Sequence, residues 1–333
     1  MAASHDWTMV TAAGLIAVFL VAPTDAQEAF DSFESLRRHH AKAGFEATAA
    51  YLAAHPDAAD AREAYRFLFQ TALDEDLTPQ AKPHAVRFLQ EQADAPLSEK
   101  SRARRVAMLS LALEGEADAA LDVLGEELAA FRRLDPSAAI DAATALAAAV
   151  QRGGKPEFSS RVYDRLRRTF FLNSGVETIV GNRLARLELL GKPAPAIAAP
   201  DLEGNQAILA DFAGKVVLVD FWATNCPPCL EELPQLRRLY ADLHSSGFEI
   251  LAVSLDEEED LVREFLARSP LPWRTILSTA DDEAARNAFR IETIPANFLI
   301  GPDGKVARVD LHGNDLRSEV ERMLKDAKGR TEP

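Results

Sequence analysis

The sequence predicts an all-α helical array over residues 27–191, followed by an α/β domain over residues 192–333 with a central mixed sheet flanked by helices. Three observations predict this order. Apolar residues and alanines recur at helical spacing through the first part. Strand-like and helix-like segments alternate in the second part. Between the two lies "LLGKPAPAIAAPDLEGN", whose Pro and Gly content suits a domain junction.

The composition favours a folded protein that does not bind nucleic acid. Of the 333 residues, 47% are hydrophobic, which suffices for a sizeable core in each of two domains. The formal net charge is -15. Since binding to phosphate backbones depends on Lys and Arg, this surface would repel DNA or RNA. We therefore expect proteins or small molecules as partners.

Residues 1–26 are predicted to be a signal peptide or a membrane anchor. The apolar run from Met9 to Ala22 is shorter than the roughly 20 residues of a membrane span, and small residues follow it at Thr24 and Ala26. This pattern predicts export to the periplasm or another extracytoplasmic space. The residues before the run include no Lys or Arg, so retention as an N-terminal anchor stays open. No cysteine follows the run, which excludes a lipoprotein anchor.

The first part is predicted to be helical over residues 30–55, 61–73, 85–93, 103–134, 137–153 and 158–172. Breaks are predicted at residues 55–60, 77–83, 95–100, 134–137 and 152–157, where Pro, Gly and capping residues gather. Paired helices of similar length loosely resemble tetratricopeptide repeats, but the period is too irregular for a true repeat. Two interpretations stay open: a domain that packs beside its neighbour, or a scaffold that binds a protein partner. The histidines of this part lack metal-ligand spacing and are assigned no chemistry: His39, His40, His55 and His84.

The second part alternates between strands and helices. The apolar run Lys215–Ala223 is typical of a strand buried on both faces, and a helix follows it. Further strands are predicted over 248–256, 273–277, 296–300 and 306–312, with helices over 257–269, 281–290 and 315–327. Asp303 and Gly304 predict a hairpin turn between the last two strands. The acidic run Asp256–Asp260 is interpreted as a helix N-terminus, where acidic residues complement the dipole, in preference to a metal or partner site.

Both cysteines of the chain lie in "FWATNCPPC", at Cys226 and Cys229. A zinc site would need two more ligands at workable spacing, and His244 has no companion histidine. Covalent haem attachment needs a histidine where Leu230 stands. A purely structural disulfide would close too short a loop to add much stability. The pair therefore predicts dithiol redox chemistry without a metal or bound cofactor.

The position of the pair assigns a role to each thiol. Cys226 falls where a strand ends and a helix begins, so free backbone N–H groups and the helix dipole favour its thiolate, which makes it the nucleophile. Cys229 lies one turn further into the helix and suits the resolving role. Pro227 and Pro228 occupy the first helical positions, where a missing N–H matters least.

Residues 191–327 resemble the thioredoxin-like fold of the TlpA/ResA-like thiol-disulfide oxidoreductases. The resemblance rests on "GKPAPAIAAPDLEGNQAILADFAGKVVLVDFWATNCPPC", "FEILAVSLD", "IETIPANFLIGPDGKV" and the final helix. It implies a kink of the first helix at Pro234 and a cis-proline at Pro295, with Ile294 and Pro295 forming the edge on which a substrate chain docks. It also implies that Trp222 belongs to the docking region.

The resemblance further implies roles for two acidic residues. Asp220 matches the buried aspartate that accepts a proton from the resolving thiol, since burial disfavours a charged carboxylate and raises its pKa. Glu232 matches a glutamate near the active site of ResA-like proteins. Its alternative is a solvated carboxylate near the start of the helix, stabilised by the dipole.

Two departures from the family pattern matter. Asn225 stands where an aromatic residue usually precedes the first cysteine, so the docking surface should be more polar. The related peroxiredoxins need a threonine three residues before their reactive cysteine, and Ala223 stands there, which disfavours peroxidase activity.

The expected function is reduction of disulfide-containing protein substrates, with a membrane electron donor restoring the dithiol. Two alternatives remain open. One is a helical-repeat interaction protein with an accessory thioredoxin-like domain. The other is a disulfide oxidase or isomerase, which would use the same residues and differ only in redox potential.

Overall fold

The computed structural model describes residues 33–131, 135–278 and 284–331, and the predicted export segment lies outside these ranges. The described residues from Ala41 onward form one compact unit. Among the helices described, none is both long and apolar enough to span a membrane.

The first part is helical, as predicted. Its helices are α1 (Phe33–Ala54), α2 (Ala61–Asp74), α3 (Thr78–Glu91), α4 (Leu97–Leu113), α5 (Ala117–Phe131), α6 (Pro136–Arg152), α7 (Phe158–Thr169) and α8 (Ser174–Leu187). The start of α6 illustrates the local cause. Asp135 precedes Pro136, and its carboxylate accepts hydrogen bonds from the backbone N–H groups of Ser137 and Ala138.

Three details of the helical part differ from the sequence prediction. The predicted break at residues 77–83 is shorter and lies earlier, at residues 75–77, because α3 begins at Thr78 and carries Pro79 in its first turn and Pro83 in its interior. The helix predicted from residue 103 onward is two helices, α4 and α5, and the chain turns between them at Gly115, whose φ of 82° suits glycine. Helix α8 was not predicted, although Asn173 caps it by accepting a hydrogen bond from the N–H of Val176 at 3.1 Å.

The second part contains a five-stranded mixed sheet in the order β5-β4-β3-β6-β7. Its strands are β3 (Val216–Trp222), β4 (Phe248–Ser254), β5 (Arg274–Leu277), β6 (Ala296–Ile300) and β7 (Val306–Val309). β3 pairs in parallel with β4 and antiparallel with β6. A short hairpin that the sequence did not predict precedes the sheet, formed by β1 (Ala198–Pro200) and β2 (Gln206–Ile208).

The α-helices described in this part are α9 (Pro227–Leu243), α10 (Glu259–Arg268), α11 (Ala284–Ala288) and α12 (Gly313–Thr331). The predicted kink site, Pro234, lies inside α9. All seven residues of β3 are buried, which fits a central strand. Leu218 and Trp222 face the core that contains α9 and α12, whereas Val219 and Phe221 face the core on the other side of the sheet.

The helical part covers the edge of the sheet at β7. Gln151 of α6 is buried, and its side-chain amide donates to the C=O of Val309 at 3.3 Å and accepts from the N–H of Val309 at 3.1 Å. One side chain thus satisfies both backbone groups of an edge-strand residue. Nearby, Ala148 packs into the same core as α9.

Candidate redox site

The two cysteines lie at the junction of β3 and α9, as predicted. Cys226 has an extended backbone conformation and caps α9, and its Sγ accepts a hydrogen bond from the N–H of Cys229 at 3.3 Å. The two residues form a disulfide, with their Cα atoms 5.3 Å apart. Cys226 is 7% exposed and Cys229 4% exposed. The rim around the disulfide is solvent-exposed and consists of Asn225, Pro227 and Pro228.

The peptide bond between Ile294 and Pro295 is cis, which confirms that prediction. In the register of β3 with β6, Phe221 pairs with Ala296. Pro295 therefore lies just beyond this pair, at the end of the sheet where β3 ends and the loop to the cysteines begins. Ile294 and Pro295 are both half-buried, so part of each remains accessible from solvent.

Asp220 lies on β3 opposite Asn297, on the face of the sheet that packs against α9. It is buried, and burial raises the pKa of Asp220 to about 7, with the negative charge of Glu232 acting in the same direction and His312 opposing it. A carboxyl group with a pKa near neutrality can both accept and release a proton at physiological pH.

Glu232 is not a fully solvated carboxylate. Its Oε1 lies 2.5 Å from Nδ1 of His312, and each of these side chains keeps about a quarter of its surface exposed. Glu232 lies in the second turn of α9, and His312 directly precedes α12. His312 was missed by the sequence analysis because nothing local in the sequence connects it with α9.

The acidic run Asp256–Asp260 does end in a helix N-terminus, but the interpretation is wrong for Asp256. α10 begins at Glu259, so dipole complementarity applies to its first turn and not to Asp256. Asp256 is buried and accepts hydrogen bonds from Thr224, from the N–H at 3.0 Å and from Oγ1 at 2.5 Å. A third donor is Oγ of Ser254 at 2.7 Å. Because Thr224 lies two residues before Cys226, Asp256 fixes the loop that carries the first cysteine.

Trp222, which the resemblance assigns to the docking region, is buried and not on the surface. It is 1% exposed, and its ring packs against Phe265 with the centroids 5.4 Å apart. This burial is not compatible with direct contact between Trp222 and a protein substrate. Its predicted contribution to docking could therefore act only through the packing below the site.

A cleft lined by Lys215, Glu249 and Trp273 lies at the opposite end of the sheet, where β3, β4 and β5 begin. Within the described ranges, no group of three or more His, Cys, Asp or Glu side chains is arranged to hold a metal ion.

A strand–loop–helix junction that carries two cysteines, with a cis-proline beside it and a buried acid below, defines a thiol-disulfide oxidoreductase with a thioredoxin-like fold. The sequence model of the AhpC/TSA family matches residues 190–309. Thiol-disulfide oxidoreductase ResA of Bacillus thuringiensis subsp. konkukian is 33% identical over 136 residues, which cover 41% of this chain and 77% of the relative. The chain belongs to the ResA-like thiol-disulfide oxidoreductases through its C-terminal part.

Other relatives match the same share of the chain. ResA of Geobacillus kaustophilus is 33% identical over 139 residues, covering 42% of this chain and 78% of the relative. Among solved structures, the thioredoxin domain of a thiol-disulfide oxidoreductase from Bacteroides vulgatus is 36% identical, with a TM-score of 0.39, and the match covers 40% of this chain and 97% of that one.

Proposed function

We propose that this protein is exported and reduces disulfide bonds of protein substrates with the dithiol of Cys226 and Cys229. The observation that carries the proposal is Asp220, a buried carboxyl group with a pKa of about 7 on the sheet face that supports both cysteines. An acid that changes protonation near neutral pH can serve the resolving thiol in the cell. Membership of the thiol-disulfide oxidoreductases supports the same reaction class.

The reaction would proceed in two exchange steps. In the first, the Cys226 thiolate attacks one sulfur of the substrate disulfide, a mixed disulfide forms, and the leaving substrate sulfur takes up a proton. In the second, Cys229 loses its proton to Asp220 and attacks Sγ of Cys226. The mixed disulfide breaks, the second substrate sulfur leaves and takes up the proton that Asp220 releases, and the Cys226–Cys229 disulfide forms. The substrate thereby gains two electrons and two protons.

The local geometry supports Cys226 as the attacking thiol. Its Sγ accepts the N–H of Cys229, and it lies at the positive end of the α9 dipole. Both interactions stabilise a thiolate more than a thiol, because each places positive charge near the sulfur. Cys226 also lies between the exposed rim residues Asn225 and Pro227, whereas Cys229 lies inside the helix.

Docking would use the backbone of Ile294, beside the cis-proline. Within the described residues, neither the N–H nor the C=O of Ile294 takes part in a hydrogen bond. These groups can therefore pair with an extended substrate chain. The rim of Asn225, Pro227 and Pro228 would contact the side chains of that substrate. A membrane electron donor would then reduce the disulfide again and close the cycle.

The redox potential of the Cys226–Cys229 pair tests the direction of the reaction. The purified protein is equilibrated with glutathione and dithiothreitol buffers, and the fraction of oxidised pair is measured. A potential near the roughly -270 mV of thioredoxin supports a reductase. A potential near the roughly -120 mV of DsbA would overturn the reductase assignment in favour of an oxidase.

Two cysteine variants test the assigned roles. Cys229→Ser should accumulate the mixed disulfide with a protein substrate such as insulin, whereas Cys226→Ser should form none. If the two variants behave alike, the division of roles is wrong. A full-length Cys226→Ser protein that retains its cellular function would instead favour the interaction-protein alternative. Fractionation of cells that produce the full chain tests export.

A further inference from the structure

Helix α8 of the helical part reaches the segment that precedes the cis-proline. Arg186 is 1% exposed, and its guanidinium donates to the C=O of Thr293 at 3.1 Å and to Oδ2 of Asp310 at 3.1 Å. One turn earlier, Asn182 donates from Nδ2 to Oγ1 of Thr293 at 3.3 Å. Spacing of four residues places Asn182 and Arg186 on one face of the helix.

Two guanidinium groups share one carboxylate near Thr293, which explains why Arg186 keeps an N–H group available for the C=O of Thr293. Asp310 faces two guanidinium groups, since Arg183 also lies 3.1 Å from its Oδ2. Burial alone would raise the pKa of Asp310, but the positive charges of Arg183 and Arg186 outweigh it and hold that pKa below its usual value. One carboxylate cannot satisfy all donors of two buried guanidinium groups. The C=O of Thr293 accepts one of the remaining N–H groups.

The contact fixes the orientation of one particular peptide plane. The C=O of Thr293 and the N–H of Ile294 belong to the same peptide unit, and among the described residues the only cis bond is the one after Ile294. In a planar trans peptide the C=O and the N–H point in opposite directions. Arg186, which holds the C=O from the protein side, therefore turns the N–H of Ile294 away from α8.

We propose that Asn182 and Arg186 are positioning residues through which the helical part orients the docking edge for protein substrates. The inference deepens the proposed function and rests on it, because it assumes that the backbone of Ile294 receives the substrate chain. It gives the helical part a role in substrate selection, since a substrate that presents no peptide backbone does not need the oriented N–H.

The test compares two substrates on the full-length protein. Insulin presents a disulfide within a polypeptide, whereas dithiobis-nitrobenzoate is a small disulfide without a peptide backbone. Arg186→Met should raise the KM for insulin about tenfold or more, as expected for the loss of one hydrogen bond to a charged group. The rate with the small disulfide and the redox potential of the cysteine pair should stay unchanged.

Arg183→Met is the matched control. Arg183 lies on the same helix and pairs with the same carboxylate, and none of its described contacts is with Thr293. This variant should lose stability much as Arg186→Met does, yet keep the wild-type KM for insulin. Equal effects of the two variants on the insulin KM, or equal effects of Arg186→Met on both substrates, would overturn the inference and leave a structural role only.

A smaller change covers the case in which Arg186→Met does not fold. Asn182→Ala removes the hydrogen bond to Oγ1 of Thr293 and should raise the insulin KM about threefold, with the small-disulfide rate unchanged. An unchanged insulin KM in this variant would count against the inference.

Amide hydrogen exchange separates the two proposals. If the wild type fails to reduce insulin, the proposed function falls, but orientation of the segment by α8 can still be measured. Amide exchange at Thr293, Ile294 and Ala296, the residues of this segment that carry a backbone N–H, should accelerate in Asn182→Ala and in Arg186→Met, and not in Arg183→Met. Wild-type exchange in all three variants would refute the positioning role independently of activity.

Discussion

Replacing Asp220 by asparagine should change how the stability of the oxidised protein depends on pH. The pKa of Asp220 is about 7 in the folded protein, whereas an aspartate in an unfolded chain has a pKa of about 3.9. The folded state therefore binds the proton more tightly than the unfolded state. This stabilisation is complete below about pH 4, declines as the pH rises, and is absent above about pH 7.

The magnitude follows from the two pKa values. A gap of about 3 pH units corresponds to roughly 4 kcal/mol, lost at about 1.4 kcal/mol per pH unit between pH 4 and pH 7. Asparagine is neutral throughout and has no such dependence. The free energy of unfolding of the wild type, minus that of Asp220→Asn, should therefore fall by roughly 4 kcal/mol between about pH 4 and pH 8.

Urea unfolding of both oxidised proteins across this pH range measures the difference directly. Asp211→Asn serves as the control, because it makes the same replacement at an exposed aspartate of the same part of the chain. A difference between wild type and Asp220→Asn that stays constant with pH would show that Asp220 is ionised at neutral pH in the folded protein. The proton-acceptor role assigned to it would then fall.

Three further perturbations have defined outcomes. Glu232→Gln removes a negative charge that raises the pKa of Asp220, so the midpoint of the same pH profile should move to lower pH, and an unmoved midpoint would contradict this coupling. Asp256→Ala leaves the hydrogen-bond donors before the first cysteine unpaired and should lower the free energy of unfolding by about 2 kcal/mol in urea unfolding. It should also slow the first thiol-disulfide exchange step. An unchanged rate of that step would limit Asp256 to a structural role. Gln151→Leu leaves the N–H and C=O of Val309 without hydrogen-bond partners and should lower the free energy of unfolding by about 2 to 4 kcal/mol. Unchanged stability would mean that these two hydrogen bonds contribute nothing.

Local sequence signals were sufficient for the redox motif and for much of the sheet. The spacing of Cys226 and Cys229, the apolar run that became β3, and the turn at Asp303 and Gly304 each act over a few residues, and the structure contains all three features. The cis bond at Pro295 was also predicted, from the resemblance to the family and not from local chemistry.

The features that the sequence did not indicate depend on contacts between distant segments. Asp256 looked like part of an acidic helix start, and only the fold brings it to Thr224. Arg186 has no role in the sequence analysis, because its partners lie far along the chain at Thr293 and Asp310. Pro83 predicts the end of a break, yet it lies inside α3, because the packing of α3 holds a proline that local propensity disfavours.

The hydrogen bonds between the side-chain amide of Gln151 in α6 and the backbone of β7 affect the choice of fragments in which this protein can be expressed. A fragment that starts at residue 192 would contain every strand of the five-stranded sheet but would lack the side chain that occupies the outer N–H and C=O of Val309. Residues 192–194 would still pair with Gly304 and Val306, so the uncovered part of the edge is Val309, where a strand from another molecule can add. Expression of the redox domain alone should therefore yield self-associating material unless this edge is blocked, and fragments that begin before α6 are the sounder choice for biochemical work.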